Sequence, residues 1–328
     1  MKFVLTHALD DAAMQYLKNN DVTVWIADSA DVPSYVDELK DADALIIRSG
    51  ECRADVMDQC PKLKVVAHNG IGYDNMDVAH ATELGIACAI AKGSNAQAVA
   101  EHTLAMILAF AKDLKNADEG FHNGNWAVRD AGRSFELGGK KVGIIGVGGI
   151  GRILARLCEA LGMQTLGFQT GDYPTAQKKE EVESAGCIYY DDMEKLLADS
   201  DFVSVHVPLN PSTRGLIGKE ELACMKKTAY LINNSRGGIV DEQALADALN
   251  ADLIAGAAAD VFTTEPVTED QPLLAAKNFI GTPHSAALAK EAKARMMMMT
   301  AQNCVTICTG GITPNVVDMS VYEHRRPV

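Results

Sequence analysis

Residues 140–168 read KKVGIIGVGGIGRILARLCEALGMQTLGF, and this stretch decides the fold around it. Val142 to Ile145 is a short apolar run, suited to a strand buried on both faces. Gly146, Gly148 and Gly151 follow as G-x-G-x-x-G. Ile153, Leu154, Leu157 and Leu161 then recur at helical spacing, and Gly162 stands where a helix C-terminus favours glycine. A second strand begins near Thr165 and runs to Phe168. Glycines placed between strand and helix inside a βαβ unit mark a dinucleotide site. Gly146 permits the tight turn, Gly148 lets the main chain approach a pyrophosphate, and Gly151 lets helix and strand pack closely. Gly149 and Ile150 open the helix, whose unpaired N–H groups and positive dipole end suit the pyrophosphate.

The surrounding chain has 328 residues, 48% of them hydrophobic and 23% charged, which suits a soluble protein of two domains. Its formal charge of −14 weighs against nucleic-acid binding. The eight cysteines include no C-x-x-C pair and no His cluster lies near them, so they read as reduced thiols of a cytoplasmic protein, with no metal site. The opening MKFVLTH is too short an apolar run for a signal peptide, and no window reaches the roughly 18 apolar residues of a membrane span.

Upstream, short apolar runs at Phe3–Leu5, Val22–Trp25, Ala44–Ile47, Val65–Ala67 and Ala87–Ala89 alternate with helical segments near 11–18, 35–39, 54–59 and 78–84. Alternation of this kind predicts a parallel sheet covered on both faces. Gly93 to Asn95 then reads as a loop. A long apolar helix is expected from Ala96 to about Lys115, too broadly apolar for one stripe. Residues 116–139 read as a polar connection. Downstream, strands are expected at 188–190, 202–205, 229–233, 254–260 and 279–281, with helices including 192–198 and 242–250. A last helix spans about 288–308, its Met296–Met299 run suited to core packing.

Three of the later strands end in charged or titratable groups: Arg236 after Asn233, Glu265 after Asp260 and His284 after Gly281. Open doubly wound sheets bind ligands outside the carboxyl ends of their strands, so these groups are expected beside the nicotinamide end of a dinucleotide. Their chemistry fits hydride transfer. A hydroxyl loses a proton as its carbon loses hydride, and His suits that exchange near neutral pH. A carboxylate on the far imidazole nitrogen orients the ring. An arginine grips a substrate carboxylate with two parallel hydrogen bonds. Singly each has an ordinary structural reading; three at successive strand ends behind a dinucleotide motif favour the functional one.

With these residues in place, the chain resembles the D-2-hydroxyacid dehydrogenases, in their phosphoglycerate-dehydrogenase-like branch. The resemblance runs through 72–77 (GYDNMD), 99–103 (VAEHT), 136–140 (ELGGK) and 206–209 (HVPL), and most specifically through 234–241 (NSRGGIVD), 260–266 (DVFTTEP) and 282–286 (TPHSA). It implies an α/β fold of two doubly wound parallel-sheet domains, with a Rossmann nucleotide domain (96–287) inserted into a flavodoxin-like substrate domain (1–95 and 288–328). It implies that Arg236 binds substrate, that Glu265 orients and that His284 is the acid–base. Ser235 and Asp260 are expected near the nicotinamide. His206, Pro208 and Thr213 are expected to line the cofactor site, and the main-chain amides of Asn69, Gly70, Ile71 and Gly72 to hold the substrate carboxylate. The helix 96–115 is expected in a homodimer interface. His68 stands where phosphoglycerate-specific relatives often carry arginine, while Arg48 is retained. The expected substrate is a small 2-oxo or D-2-hydroxy acid, with 3-phosphohydroxypyruvate (the oxo partner of 3-phosphoglycerate) and hydroxypyruvate leading. No serine-binding regulatory domain is expected. A dinucleotide-sensing corepressor is the alternative from another class. Formate dehydrogenase is disfavoured because that relative pairs its His with Gln.

Cofactor choice rests on one position. Folds specific for NAD place Asp or Glu at the end of the second strand, against the ribose 2′-OH. Here that place falls on Gln169, with Asp172 three residues on and Lys178 and Lys179 the nearest cations. Gln has no charge to repel a 2′-phosphate. Both NAD(H) and NADP(H) are therefore expected to serve, NAD(H) slightly better.

Overall fold

The computed structural model describes residues 1–171 and 173–327, so Asp172 lies outside the described residues. Backbone contacts divide the chain into two compact units, 1–95 with 288–328, and 96–287.

The first unit holds a five-stranded parallel sheet: β1 (Lys2–Leu5), β2 (Thr23–Ile26), β3 (Ala44–Ile47), β4 (Val65–His68) and β5 (Ala87–Ile90), in the order β2-β1-β3-β4-β5. This is the flavodoxin-like order. Every residue of β3 and β5 is buried, which explains their unbroken apolar runs. The helix Asp11–Asn19 starts where the Asp10 side chain accepts from the Ala13 N–H at 2.8 Å. The helix Lys290–Cys308 covers one face, setting Met297, Ala301, Cys304 and Cys308 among Phe3, Leu5, Ile46 and Val65. Met296 and Met297 are buried, in keeping with a packing role.

The second unit holds seven parallel strands: β6 (Lys141–Ile145), β7 (Gln164–Phe168), β8 (Ile188–Tyr189), β9 (Phe202–Val205), β10 (Tyr230–Asn233), β11 (Gly256–Ala259) and β12 (Phe279–Gly281). Their order is β12-β11-β10-β9-β6-β7-β8. The connections reverse direction between β6 and β9, and a sheet of this kind binds its ligand at that switch point. The glycine loop leaves β6 there and enters the helix Gly149–Ala160.

One expected element is different. The helix from Ala96 stops at Ala111, not near Lys115, because Asp113 takes a left-handed conformation (φ 49°). The carbonyls that would continue it are engaged: Phe135 N–H donates to Ala111 O at 2.8 Å, and Ser134 Oγ to Lys112 O at 3.1 Å. Residues 116–139 are accordingly not a plain connection. A second helix, Leu114–His122, and a 3₁₀ turn, Trp126–Asp130, occupy much of the segment. The breadth of apolar surface on Ala96–Ala111 also has an explanation within the unit. Ala100, Ile107 and Ala111 are fully buried in the cluster that holds Leu154, Ala155 and Cys158 of the glycine-loop helix. The exposed apolar groups lie further on, at Leu114, Phe121 and Trp126. Among the described residues no helix is long and apolar enough to cross a membrane.

Candidate active site

The glycine loop has the shape that a dinucleotide requires. Gly146 sits at φ 94°, and a Cβ there would lie 2.5 Å from His206 O. A Cβ on Gly151 would lie 2.5 Å from Gly146 O, so helix and strand meet through that hydrogen. Gly148, by contrast, faces open space. It is the N-cap of the helix and offers no side chain to the first amides, those of Gly149, Ile150 and Gly151. Bare amides at an open helix start fit a pyrophosphate. Gln169 does lie at the end of β7, against this loop: its Oε1 accepts from Val147 N–H at 2.9 Å. After β9, Thr213 Oγ donates to Pro208 O at 2.6 Å and accepts from Asn210 N–H at 2.9 Å, fixing the turn that follows His206. Burial lowers the His206 imidazole to about 4, and its Nε2 sits 2.8 Å from Ser204 Oγ.

Arg236, Glu265 and His284 follow β10, β11 and β12, which are neighbours in the sheet. Register therefore brings three distant segments to one edge. Ser235 N–H and Oγ both donate to Asn233 Oδ1, at 3.2 and 2.7 Å, and Asn233 Nδ2 donates to Arg236 O at 2.9 Å. A Cβ on Gly237 would stand 2.1 Å from the Phe262 carbonyl, so the arginine loop lies directly on the loop that carries Glu265. Glu265 uses both oxygens: Oε1 accepts from Phe262 N–H at 2.8 Å and Oε2 lies 2.7 Å from His284 Nδ1. Burial alone would raise this carboxyl. The hydrogen bonds from His284 and Phe262 and the nearby Arg236 guanidinium outweigh it and hold the carboxyl below its usual range. Nδ1 of His284 is held by the carboxylate, and the His284 side chain is half exposed.

Asp260 supports this set from beneath. It is 1% exposed, and its carboxylate accepts from Thr282 Oγ at 2.5 Å and from the Ser285 and Ala286 N–H groups at 2.8 Å each. Its own carbonyl accepts from His284 N–H at 2.9 Å. His284 is thereby held in the left-handed region (φ 50°), which few non-glycine residues occupy. His102 joins the cluster with Nε2 3.1 Å from Thr282 Oγ. Glu242 accepts from Thr263 N–H at 2.6 Å and steadies the same loop from outside. His102 and Glu242 were not singled out from the sequence. His102 does lie in the 99–103 (VAEHT) motif, but the roles of both depend on partners 180 and 21 residues away, which sequence spacing does not show.

In the first unit, His7, Arg48, His68 and Asn69 stand at the ends of the adjacent strands β1, β3 and β4. Two of the four loop amides expected to face substrate are already bonded: Asn69 N–H to Ile47 O at 2.7 Å, and Gly70 N–H to His68 O at 2.9 Å. Among the described residues, those of Ile71 and Gly72 have no such acceptor. The His68 ring contacts Gly72 O and Arg48 O, so it braces the loop. His7, absent from the sequence reading, has Nε2 3.0 Å from Asn69 Nδ2. Burial first, then the Arg48 and His68 charges, lower it to about 4.

Residues 104–286 match the family model for the D-isomer specific 2-hydroxyacid dehydrogenase NAD binding domain. The chain belongs to this family. It is 38% identical to a glyoxylate reductase of Aeropyrum pernix, over 99% of this chain and 98% of that protein. It is also 38% identical to a D-3-phosphoglycerate dehydrogenase of Methanocaldococcus jannaschii, over 97% of this chain, but it spans only 60% of that longer relative. Among solved structures, a glyoxylate reductase of Paecilomyes thermophila superimposes with a TM-score of 0.84 at 27% identity, covering 97% of this chain and 98% of that one. As a D-2-hydroxyacid dehydrogenase the protein is an oxidoreductase acting with a nicotinamide dinucleotide, and the comparisons favour this over the sensing alternative.

Two consequences of this geometry are measurable. Gly237→Ala must push apart the arginine and glutamate loops. It is expected to cost about 1–3 kcal/mol in denaturant unfolding and to lower turnover more than it lowers dinucleotide affinity. Equal turnover in the variant would show that the loop contact is unimportant. The second concerns pH. The folded pKa of His206 lies at about 4, below its unfolded value, so the unfolded chain binds the extra proton between these values. The contribution of His206 to stability is full above about pH 6.5 and is lost as pH drops toward 4. His206→Gln should flatten that fall by on the order of 1–2 kcal/mol in urea titrations.

Proposed function

We propose that the enzyme interconverts a small, unphosphorylated 2-oxo acid and its D-2-hydroxy acid, with glyoxylate and hydroxypyruvate as the preferred oxo acids. The observation that carries this reading is the Glu265–His284 contact of 2.7 Å beside Arg236, at three adjacent strand ends. When bound, the nicotinamide ring supplies or accepts the hydride. In the reducing direction, His284 Nε2 gives a proton to the substrate carbonyl oxygen as the carbonyl carbon gains hydride. In the oxidising direction, the same nitrogen takes the hydroxyl proton. Glu265 orients the ring through its contact with Nδ1. Arg236 pairs with the substrate carboxylate and polarises the neighbouring carbonyl.

The first unit supplies substrate recognition in this reading, through the Ile71 and Gly72 amides and Arg48. A doubly charged phosphate needs more than one cation. His7 is neutral at pH 7 and both ring nitrogens of His68 are spent on main-chain carbonyls, so Arg48 is the one of the three side chains with donors left for a phosphate. The acid with no phosphate is therefore favoured over 3-phosphohydroxypyruvate. The eight free cysteines, all but Cys224 buried, suit a reducing compartment, and the cytoplasm is the proposed location.

We also place the homodimer contact at a site different from the helix that begins at Ala96. Leu114 and Phe121 of the helix Leu114–His122 and Trp126 of the following 3₁₀ turn are 59%, 65% and 68% exposed, apolar surface of the kind that a second copy of the chain covers.

A spectrophotometric screen of 2-oxo acids with NADH and NADPH tests the reading. Glyoxylate or hydroxypyruvate should exceed 3-phosphohydroxypyruvate in kcat/KM by about tenfold or more, and the reverse order would refute the choice. In the same assay His284→Ala should lose about 10²–10⁴-fold in kcat while still binding dinucleotide. Arg236→Lys should lose both rate and substrate affinity, because an ammonium cannot copy a planar two-pronged grip. Near-parental kinetics in either variant would remove that residue from the mechanism. For assembly, light scattering should show a dimer, and Trp126→Glu should shift it toward monomer. A dimer untouched by that change would place the interface elsewhere.

A further inference from the structure

The missing acidic residue at the end of β7 has a counterpart on the helix that follows. Gln169 Nε2 donates to Glu181 Oε2 at 3.1 Å, while its Oε1 holds the Val147 N–H of the glycine loop. One amide thus ties the loop to the helix Thr175–Glu183 and brings a carboxylate within one hydrogen bond of the ribose position. Gln177 Nε2 holds the other oxygen of that carboxylate at 3.2 Å. The cation nearby, Arg152, is held on the same helix: it donates to Ser184 Oγ at 2.9 Å and to the main-chain oxygen of Glu181 at 2.8 Å. Lys179 lies 3.7 Å from Glu183. Lys178, one turn before Glu181, is the cation whose influence has to be separated from that of Glu181.

We propose that Glu181, held against the glycine loop through Gln169, is the residue that selects NAD(H) over NADP(H). The proposal rests on reading this loop as the dinucleotide site. A 2′-phosphate brought to the end of β7 meets the Glu181 carboxylate, while the Arg152 guanidinium is turned to Ser184 Oγ and Glu181 O, and like charges at that range disfavour the phosphate by about tenfold or more. The Gln169 side chain is a spacer that carries the charge of another residue, which is why the motif position looks neutral in the sequence. Discrimination is accordingly stronger than a lone glutamine predicts.

Dissociation constants for NADH and NADPH, measured by fluorescence titration on the full chain, test this without substrate. Glu181→Gln keeps the shape and removes the charge. It should narrow the NADPH-to-NADH ratio of dissociation constants by about tenfold. Adding Gln169→Asp to that variant should restore the ratio by returning a charge to the strand end. An unchanged ratio in Glu181→Gln overturns the proposal but leaves the dinucleotide site standing. A ratio that moves with Lys178→Gln and not with Glu181→Gln also overturns it. Failure of the parent to bind either dinucleotide would overturn the site reading and the proposal together. Thermal unfolding of each variant separates a lost charge from a lost fold.

Discussion

The arrangement of Arg236, Glu265 and His284 depends on one buried carboxylate. Asp260 accepts from Thr282 Oγ, Ser285 N–H and Ala286 N–H, and so closes the turn in which His284 sits. Without it, the left-handed backbone of His284 would relax toward ordinary conformations, since that region is costly for a residue with a Cβ. The ring would then leave Glu265. A charged group buried this deeply is stable only when its lone pairs are satisfied, and here three donors meet it. The same hydrogen bonds that make Asp260 tolerable in the core therefore place the imidazole.

Around that clamp, the sheet supplies position and the glycines supply closeness. Parallel pairing of β10, β11 and β12 brings three strand ends side by side, so residues 29 and 19 apart in sequence become neighbours without a long loop. Gly237 then allows the arginine loop to rest on the Phe262 carbonyl, and Gly146 allows the glycine loop to turn under His206. In each case a methyl group would occupy space that another main chain already fills. The constraint is steric, and it is local to the few places where two backbones touch.

In the first unit, chemistry is divided between bracing and contact. His68 spends both ring nitrogens on main-chain carbonyls and Asn69 meets His7, while Arg48 is exposed and, among the described residues, the Ile71 and Gly72 amides have no main-chain acceptor. Neutral His7 beside them adds polarity without charge.

Much of this was legible in the sequence because it is periodic or punctuated. Apolar runs marked the strands, including the edge strands β2 and β8, which bury none of their residues; the glycine pattern between β6 and the helix Gly149–Ala160 marked the cofactor loop, and strand-end residues pointed to Arg236, Glu265 and His284. Burial of short runs and the steric need for glycine act within a few residues, so they leave a local signature. Other features required the folded chain. The stop at Ala111 comes from carbonyls captured by Phe135 and Ser134, more than twenty residues later. The helix Thr175–Glu183 is nearly all polar, burying only Val182, and has no apolar stripe to read. The acid beside Gln169 comes from that helix, and His102 reaches Thr282 across 180 residues. Sequence by itself determined the fold class, the family and the residue types at the strand ends. Tertiary structure decided which groups hold them, because a hydrogen bond between distant segments depends on where the backbone brings them and not on the spacing between them.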